Sequence, residues 1–263
     1  MAGLIEVPID MFTIRIKTTV YGLVALMMMS KVAGDQSATA AAQSQLAISR
    51  GDVPVWWNPS LPEEVRRQVY AKAEGLTGKL SLETSKVSGV VSVIEEHYAR
   101  VWAWHQVVDA KLDAAWADWD VARSNRDGKA KDELRALAIM TERIDPIYAE
   151  FTPQILGLLK NLRAVMGDDK TTALLDAITR SPGAERAFNA YVDMIPEMTD
   201  EQKAVLWGRM AQARQDSLAA WSNKRIIKIF KKYKVRNEFS IDYFGYDYRK
   251  RYEAWARALK SSR

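Results

Sequence analysis

Residues 81–123, SLETSKVSGVVSVIEEHYARVWAWHQVVDAKLDAAWADWDVAR, carry the pattern that decides the fold class. Val87, Val90, Val91, Ile94, Tyr98, Val101, Trp102, Val108, Leu112, Trp116 and Trp119 recur at three- and four-residue spacing, which lays an apolar stripe along one face of a helix. The β-branched content is high, yet strand-type alternation is absent. The segment therefore reads as one long helix or two in line.

The flanking sequence continues in the same style. Ser60-Leu61-Pro62-Glu63 has a hydroxyl cap, a proline in the first turn and a carboxylate three residues after the cap, a capping box that opens a helix over about 62–79. Asn125-Arg126-Asp127-Gly128 reads as a turn. The helical pattern over about 130–165 contains Pro146 and Pro153, which predicts a kink near Asp145 and a restart with Thr152 as cap. Ser181-Pro182 opens a helix that ends at Met194-Ile195-Pro196. A second capping box, Thr199-Asp200-Glu201-Gln202, opens a helix through Ala220 with Val205, Leu206, Met210, Ala213 and Leu218 on its buried side. Two more helices, about 223–235 and 247–259, flank a loop at Gly245. The expectation is an all-α, irregular antiparallel bundle of about seven or eight helices, one domain over 59–263.

A chain of 263 residues, 48% hydrophobic and 27% charged, is large enough to bury a substantial core. Ahead of that domain, Val20 to Met29 is a nearly unbroken apolar run, preceded by Arg15 and Lys17 and followed by small residues, the order of a secretory signal peptide. The run, about ten residues, is shorter than the roughly 20 that cross a bilayer, so no permanent membrane anchor is expected. Cleavage after Ala38-Thr39-Ala40 would give a signal peptide over 1–40, a linker over 41–58 rich in Ala, Gln and Ser, and a periplasmic or secreted mature protein. With no cysteine there is neither a disulfide framework nor a lipidation site of the lipobox type.

Chemistry-bearing motifs are few. His97 and His105 lie eight residues apart on the long helix, roughly 80° and 12 Å from each other, too far to share a metal on their own. Without cysteine or a His-Glu-x-x-His pattern no metal site is expected, and without glycine-rich phosphate loops no nucleotide cofactor is. Nine tryptophans invite a carbohydrate reading, because indole faces stack on the apolar faces of sugar rings. Trp102, Trp116 and Trp119 sit at helical spacing and read as core, which leaves Trp56, Trp57 and Trp221 as the better candidates.

The C-terminal stretch has the most distinctive residue order. From Ser222 to Arg263 there are 7 Lys and 6 Arg against 2 Asp and 2 Glu, a net +9 within a chain of net +5, so the remainder is mildly acidic. Lys224, Lys228, Lys231, Lys232, Lys234 and Arg236 surround Phe230 and Tyr233. Their charge encircles the helix instead of forming one stripe, which argues against nucleic acid and leaves open an anionic polysaccharide, a lipopolysaccharide-like surface or a phosphate group, or else a solvated helix whose Lys stems cover aromatics.

Ala190-Tyr191-Val192-Asp193-Met194-Ile195-Pro196, Met198-Thr199-Asp200-Glu201-Gln202-Lys203, Ala213-Arg214, Ser222-Asn223-Lys224, Phe230, Lys232-Tyr233-Lys234, Arg236 and Gly245-Tyr246-Asp247 resemble the bacterial domain-of-unknown-function family 3826. The resemblance covers about 190–257 and implies an exported helical protein of polysaccharide-degrading bacteria, with a sugar-binding role and no established activity. Two places depart from the family pattern: its histidine three residues after the Lys224 equivalent is Ile227 here, and its paired asparagines fall at Glu238 and Phe239.

These readings converge on an exported carbohydrate-binding accessory to polysaccharide breakdown, its sugar neutral or anionic. Lys224, Lys232, Tyr233, Lys234, Arg236, Tyr246 and Asp247 are the expected ligand-binding residues, with Asp193 and Arg214 as a buried supporting pair. Gly245 and Asp247 have a structural reading beside the functional one, a left-handed turn and a helix cap. The alternatives are a polysaccharide hydrolase or lyase with a Tyr or Lys base, and a helical periplasmic chaperone.

Overall fold

The computed structural model describes residues 54, 56–57, 60–124, 132–179 and 183–261. The expected signal peptide, nearly all of the expected linker, the Asn125–Gly128 turn and Ser181-Pro182 lie outside the described residues. Every regular element is helical, with no strand among the described residues. In chain order these are α1 (Glu63–Thr77), α2 (Thr84–Ala122), α3 (Glu133–Ile139), a π turn (Met140–Ile144), α4 (Asp145–Thr179), α5 (Gly183–Met194), α6 (Asp200–Asp216), a 3₁₀ turn (Ser217–Ala219), α7 (Asn223–Tyr243) and α8 (Tyr248–Ser261).

The 39-residue α2 runs unbroken and is the spine of the domain. Its stripe buries Val90, Ile94, Tyr98, Val101, Trp104, Leu112, Trp116 and Trp119 against α1, α3 and α4. Val87, which the spacing placed on that stripe, is exposed instead. Trp102 is only half-buried, and Trp104, two residues on, takes the core position. A helix of this length sweeps past several neighbours, so the buried face drifts along it.

The kink expected near Asp145 is present, several other boundaries differ from the sequence expectation, and α7 runs on to Tyr243, past its expected end near 235. Pro62 occupies the N-cap position of α1, not Ser60. The kink near Asp145 takes the form of the π turn, in which the Asp145 N–H reaches back to the Met140 carbonyl and Pro146 enters the first turn of α4 without needing a partner for a missing N–H. No restart occurs at Thr152: α4 passes through Pro153, and the Thr152 hydroxyl donates back to the Tyr148 carbonyl at 3.4 Å. The interruption comes instead at Gly167, whose φ of 79° and ψ of 175° are glycine geometry. The helical turns from there to Thr179 were not anticipated.

The second capping box is present as read, with Thr199 accepting from the Gln202 N–H at 3.3 Å and Gln202 accepting from the Thr199 N–H at 3.0 Å. Helices α6 and α7 pack on each other, and α8 lies against α5 and α7. A large core joins α1 to α4 with α6 and α7. A smaller one gathers Tyr191, Met194, Ile195, Met198, Leu206 and Ile241, with Tyr246, Tyr248 and Trp255 packed on it. No described helix is long and apolar enough to cross a membrane.

Candidate functional site

Helix α7 starts at Ser222, whose hydroxyl accepts from the Arg225 N–H at 3.3 Å, and carries its charges in all directions because lysines and arginines occupy every face. The acidic remainder of the chain meets those charges. Arg225 donates to Asp113 at 2.6 Å and reaches Asp109 at 3.5 Å; Lys228 pairs with Asp120 at 2.8 Å. All three carboxylates come from α2, which long side chains thus bridge to α7.

Lys232 is 0% exposed. Its ammonium lies 2.8 Å from Asp145 and 3.5 Å from Asp216, above the rings of Tyr148 and Tyr233. Tyr233 donates to Asp216 at 2.6 Å, Gln212 donates to the same carboxylate at 2.8 Å, and Arg236 pairs with Asp145. Burial pushes the Tyr233 phenol above its ordinary range, and the Asp216 charge adds to the shift, so it remains a donor. Two cations and two anions hold α4, α6 and α7 together. Lys232 and Tyr233, two of the expected ligand-binding residues, are therefore buried anchors of the bundle and do not present their polar groups to solvent.

The two histidines belong to the same frame. His97 Nε2 meets the Leu218 carbonyl at 2.9 Å and His105 Nε2 meets the Ala219 carbonyl at 2.8 Å, so both clamp the 3₁₀ turn between α6 and α7. His105 Nδ1 also faces Asp109 at 2.6 Å. Burial lowers the His97 imidazole to about 4, keeping it neutral. No group of three or more potential metal ligands occurs among the described residues.

The other expected site residues separate. Lys224 and Lys234 are exposed. Tyr246 donates to Gln202 at 3.1 Å and to the Glu197 carbonyl at 3.4 Å, tying the Gly245 turn to the start of α6. Asp247 accepts from the Lys250 N–H at 3.0 Å and caps α8, and Gly245 takes a φ of 91°, so the structural reading of this motif is realised. The expected Asp193–Arg214 pair is not formed. Arg214 pairs with Asp176 and donates to the Thr172 carbonyl at 3.0 Å, while Asp193 is exposed on α5. Trp56 stacks on Phe151 with ring centroids 5.7 Å apart, Trp57 covers the Arg100 guanidinium at 4.8 Å, and Trp221 packs edge-on to Tyr98.

Open surface around α7 takes two forms. The larger is a groove of about 1000 Å³ between α3, α7 and α8, lined by Arg123, Glu133, Phe239, Glu238, Tyr248 and Tyr252 among others. Its α8 wall carries Tyr248 and Tyr252, with ring centroids 6.0 Å apart, and Trp255, 6.2 Å from Tyr252, continues the row outside the lining, packed on the smaller core. Tyr252 is 46% exposed. The Tyr248 hydroxyl lies 3.3 Å from the Glu238 carboxyl. Burial raises that carboxyl above the ordinary range and Glu133 adds to the effect, against the pull of Arg123, the Tyr248 bond and Lys234. Sequence reading missed this groove, since its walls come from three separate helices. Its one local signal was the Tyr248, Tyr252, Trp255 spacing. The smaller groove, about 410 Å³, lies between α5 and α7 and includes Lys234.

The model of the family described as "Protein of unknown function (DUF3826)" matches residues 66–261. The chain belongs to this family. The match reaches from α1 to the end of α8, so the spine, the Lys232 network and both grooves all fall within the family domain. No curated protein matches the chain.

Proposed function

We propose that this DUF3826 protein is an exported carbohydrate-binding protein, an accessory to polysaccharide breakdown in the periplasm or outside the cell, and that its sugar lies in the groove between α3, α7 and α8. The observation that carries the reading is the pair of partly exposed rings Tyr248 and Tyr252 beside Arg123, Arg249, Glu133, Glu238 and Asp242. Ring faces offer apolar platforms for pyranose faces, and the adjoining carboxyl and guanidinium groups offer acceptors and donors to hydroxyls. The volume is that of a small-molecule or oligosaccharide site. Export is supported by the apolar run from Val20 to Met29 and its flanks.

A thermal-shift and calorimetric screen of the purified protein against neutral and acidic oligosaccharides tests the binding. A ligand that raises the midpoint of the wild type and loses about tenfold or more in affinity with Tyr252→Ala supports the groove. No response to any glycan overturns the reading. Export is checked by the N-terminal residue of protein recovered from the periplasm, expected near Ala41.

One observation favours a second reading, hydrolysis. Glu238 is a carboxyl in the groove wall, 3.3 Å from the Tyr248 hydroxyl, that burial moves above the ordinary carboxylate range, the direction in which a general acid for a glycosidic oxygen is tuned. Release of reducing ends from a polysaccharide mixture, abolished by Glu238→Gln, would establish it, whereas binding without release leaves the accessory role.

A further inference from the structure

Helix α7 bears seven lysine and arginine side chains, and the fold neutralises them selectively. Arg225, Lys228, Lys232 and Arg236 each have a carboxylate from α2, α4 or α6. Lys224, Lys231 and Lys234 form no ion pair among the described residues. Two of these, Lys231 and Lys234, line the groove between α5 and α7 together with the exposed Arg186 of α5. The described lining contains no carboxylate; its remaining walls are Thr179, Gly183, Ile226, Ile227 and Phe230. Lys234 also acts on Glu238, one turn beyond it and on the wall of the other groove. Lys231 rests over the Trp119 ring at 5.4 Å.

We infer that this groove is a second binding site, for an acidic sugar residue whose sulfate or carboxylate is held by Arg186, Lys231 and Lys234 and whose ring lies on Phe230 and Ile227. Three cations from two helices line a cavity of about 410 Å³ whose described lining holds no carboxylate, and that volume is within the range of small-ligand sites. Arg186 offers a planar fork to the oxyanion and the lysines offer point charges. A glycan suits the apolar walls better than a lipid surface does. Ile227 alone stands well out of the surface, at 55% exposed, while Phe230 is half-buried and Ile226 buried, so the groove has a floor for one ring and no set of protruding residues to enter a bilayer. The inference takes from the proposed function only that the ligand is a glycan, and its site is separate.

The test is calorimetric titration of the full chain with a sulfated hexasaccharide and with the same sugar desulfated, at low ionic strength. Wild type is expected to bind the sulfated sugar, and Lys231→Glu/Lys234→Glu to bind it about tenfold or more weakly. Lys224→Glu, a charge reversal on the same helix outside this lining, is expected to stay within about twofold. Equal losses in both variants, or equal affinity for the desulfated sugar, overturn the site in favour of diffuse attraction or ring contact. Binding of phosphatidylglycerol vesicles with none of the sulfated sugar reassigns the groove to a lipid headgroup, and binding of neither probe removes it. Failure of the larger groove would show instead as an unchanged response of Tyr252→Ala to neutral sugars.

Discussion

Lys232 holds its charge with no exposure to water, between Asp145 and Asp216, and its removal would leave both carboxylates short of a cation in the interior. Asp145 retains Arg236, but among the described residues Asp216 retains only the neutral donors Tyr233 and Gln212. Lys232→Met is therefore expected to lower unfolding free energy by about 3–5 kcal/mol in urea titrations, an effect on folding and not on ligand contact. His97 makes the same environment visible as pH dependence. Its imidazole titrates near 6.5 in the unfolded chain and at about 4 when folded, so the unfolded state takes up a proton that the folded state refuses. The stability associated with neutral His97 is complete above about pH 6.5 and drains away as pH falls through 4, by about 3 kcal/mol in all. Denaturation between pH 7 and 4 should show that loss, and His97→Gln should flatten it while keeping a donor for the Leu218 carbonyl.

At the scale of elements, α4 shows which helical signals are strong. Pro146 and Pro153 both looked like breaks, yet only Pro146 coincides with a departure from α geometry, because the π turn before it redirects the backbone bonds. Pro153 is carried inside the helix by the packing of Phe151, Ile155 and Leu158 around it, an arrangement that depends on the partner helices. Gly167 makes the real interruption, and a lone Gly in an otherwise helical pattern does not announce one. Two glycine substitutions in α4 should therefore have opposite signs. Gly167→Ala, with room for the methyl but a φ of 79°, is expected to destabilise by about 1–2 kcal/mol, while Gly157→Ala, exposed in the helical interior with nothing within 4 Å, is expected to stabilise by about 0.5–1 kcal/mol. Thermal midpoints of the two variants check both signs. The capping box at Thr199 and the cap at Asp247 were legible because a cap is completed within four residues, while the cap at Ser222 was not read.

Over the whole molecule, the opposed charges of the C-terminal stretch and the remainder are largely an internal fit: carboxylates of α2, α4 and α6 meet the cations of α7. Those left over, Lys231 and Lys234 with Arg186, form no ion pair among the described residues, Lys231 resting instead over the Trp119 ring. Lys231→Glu/Lys234→Glu should accordingly change unfolding free energy by no more than about 0.5 kcal/mol each, in contrast to Lys232→Met. Urea titration of both variants separates the surplus cations from the structural ones. The amino-acid sequence by itself determined the helical class, the long spine, the second capping box, the family and the charge imbalance, because period, cap chemistry and residue order are all local. It did not reveal that Lys232 and Tyr233 point inward while Lys234 points outward, that Arg214 pairs with Asp176 instead of Asp193, or that three helices enclose an aromatic groove. Each of those depends on which residues, distant in the chain, supply the opposing charge or wall, and only tertiary packing brings them together.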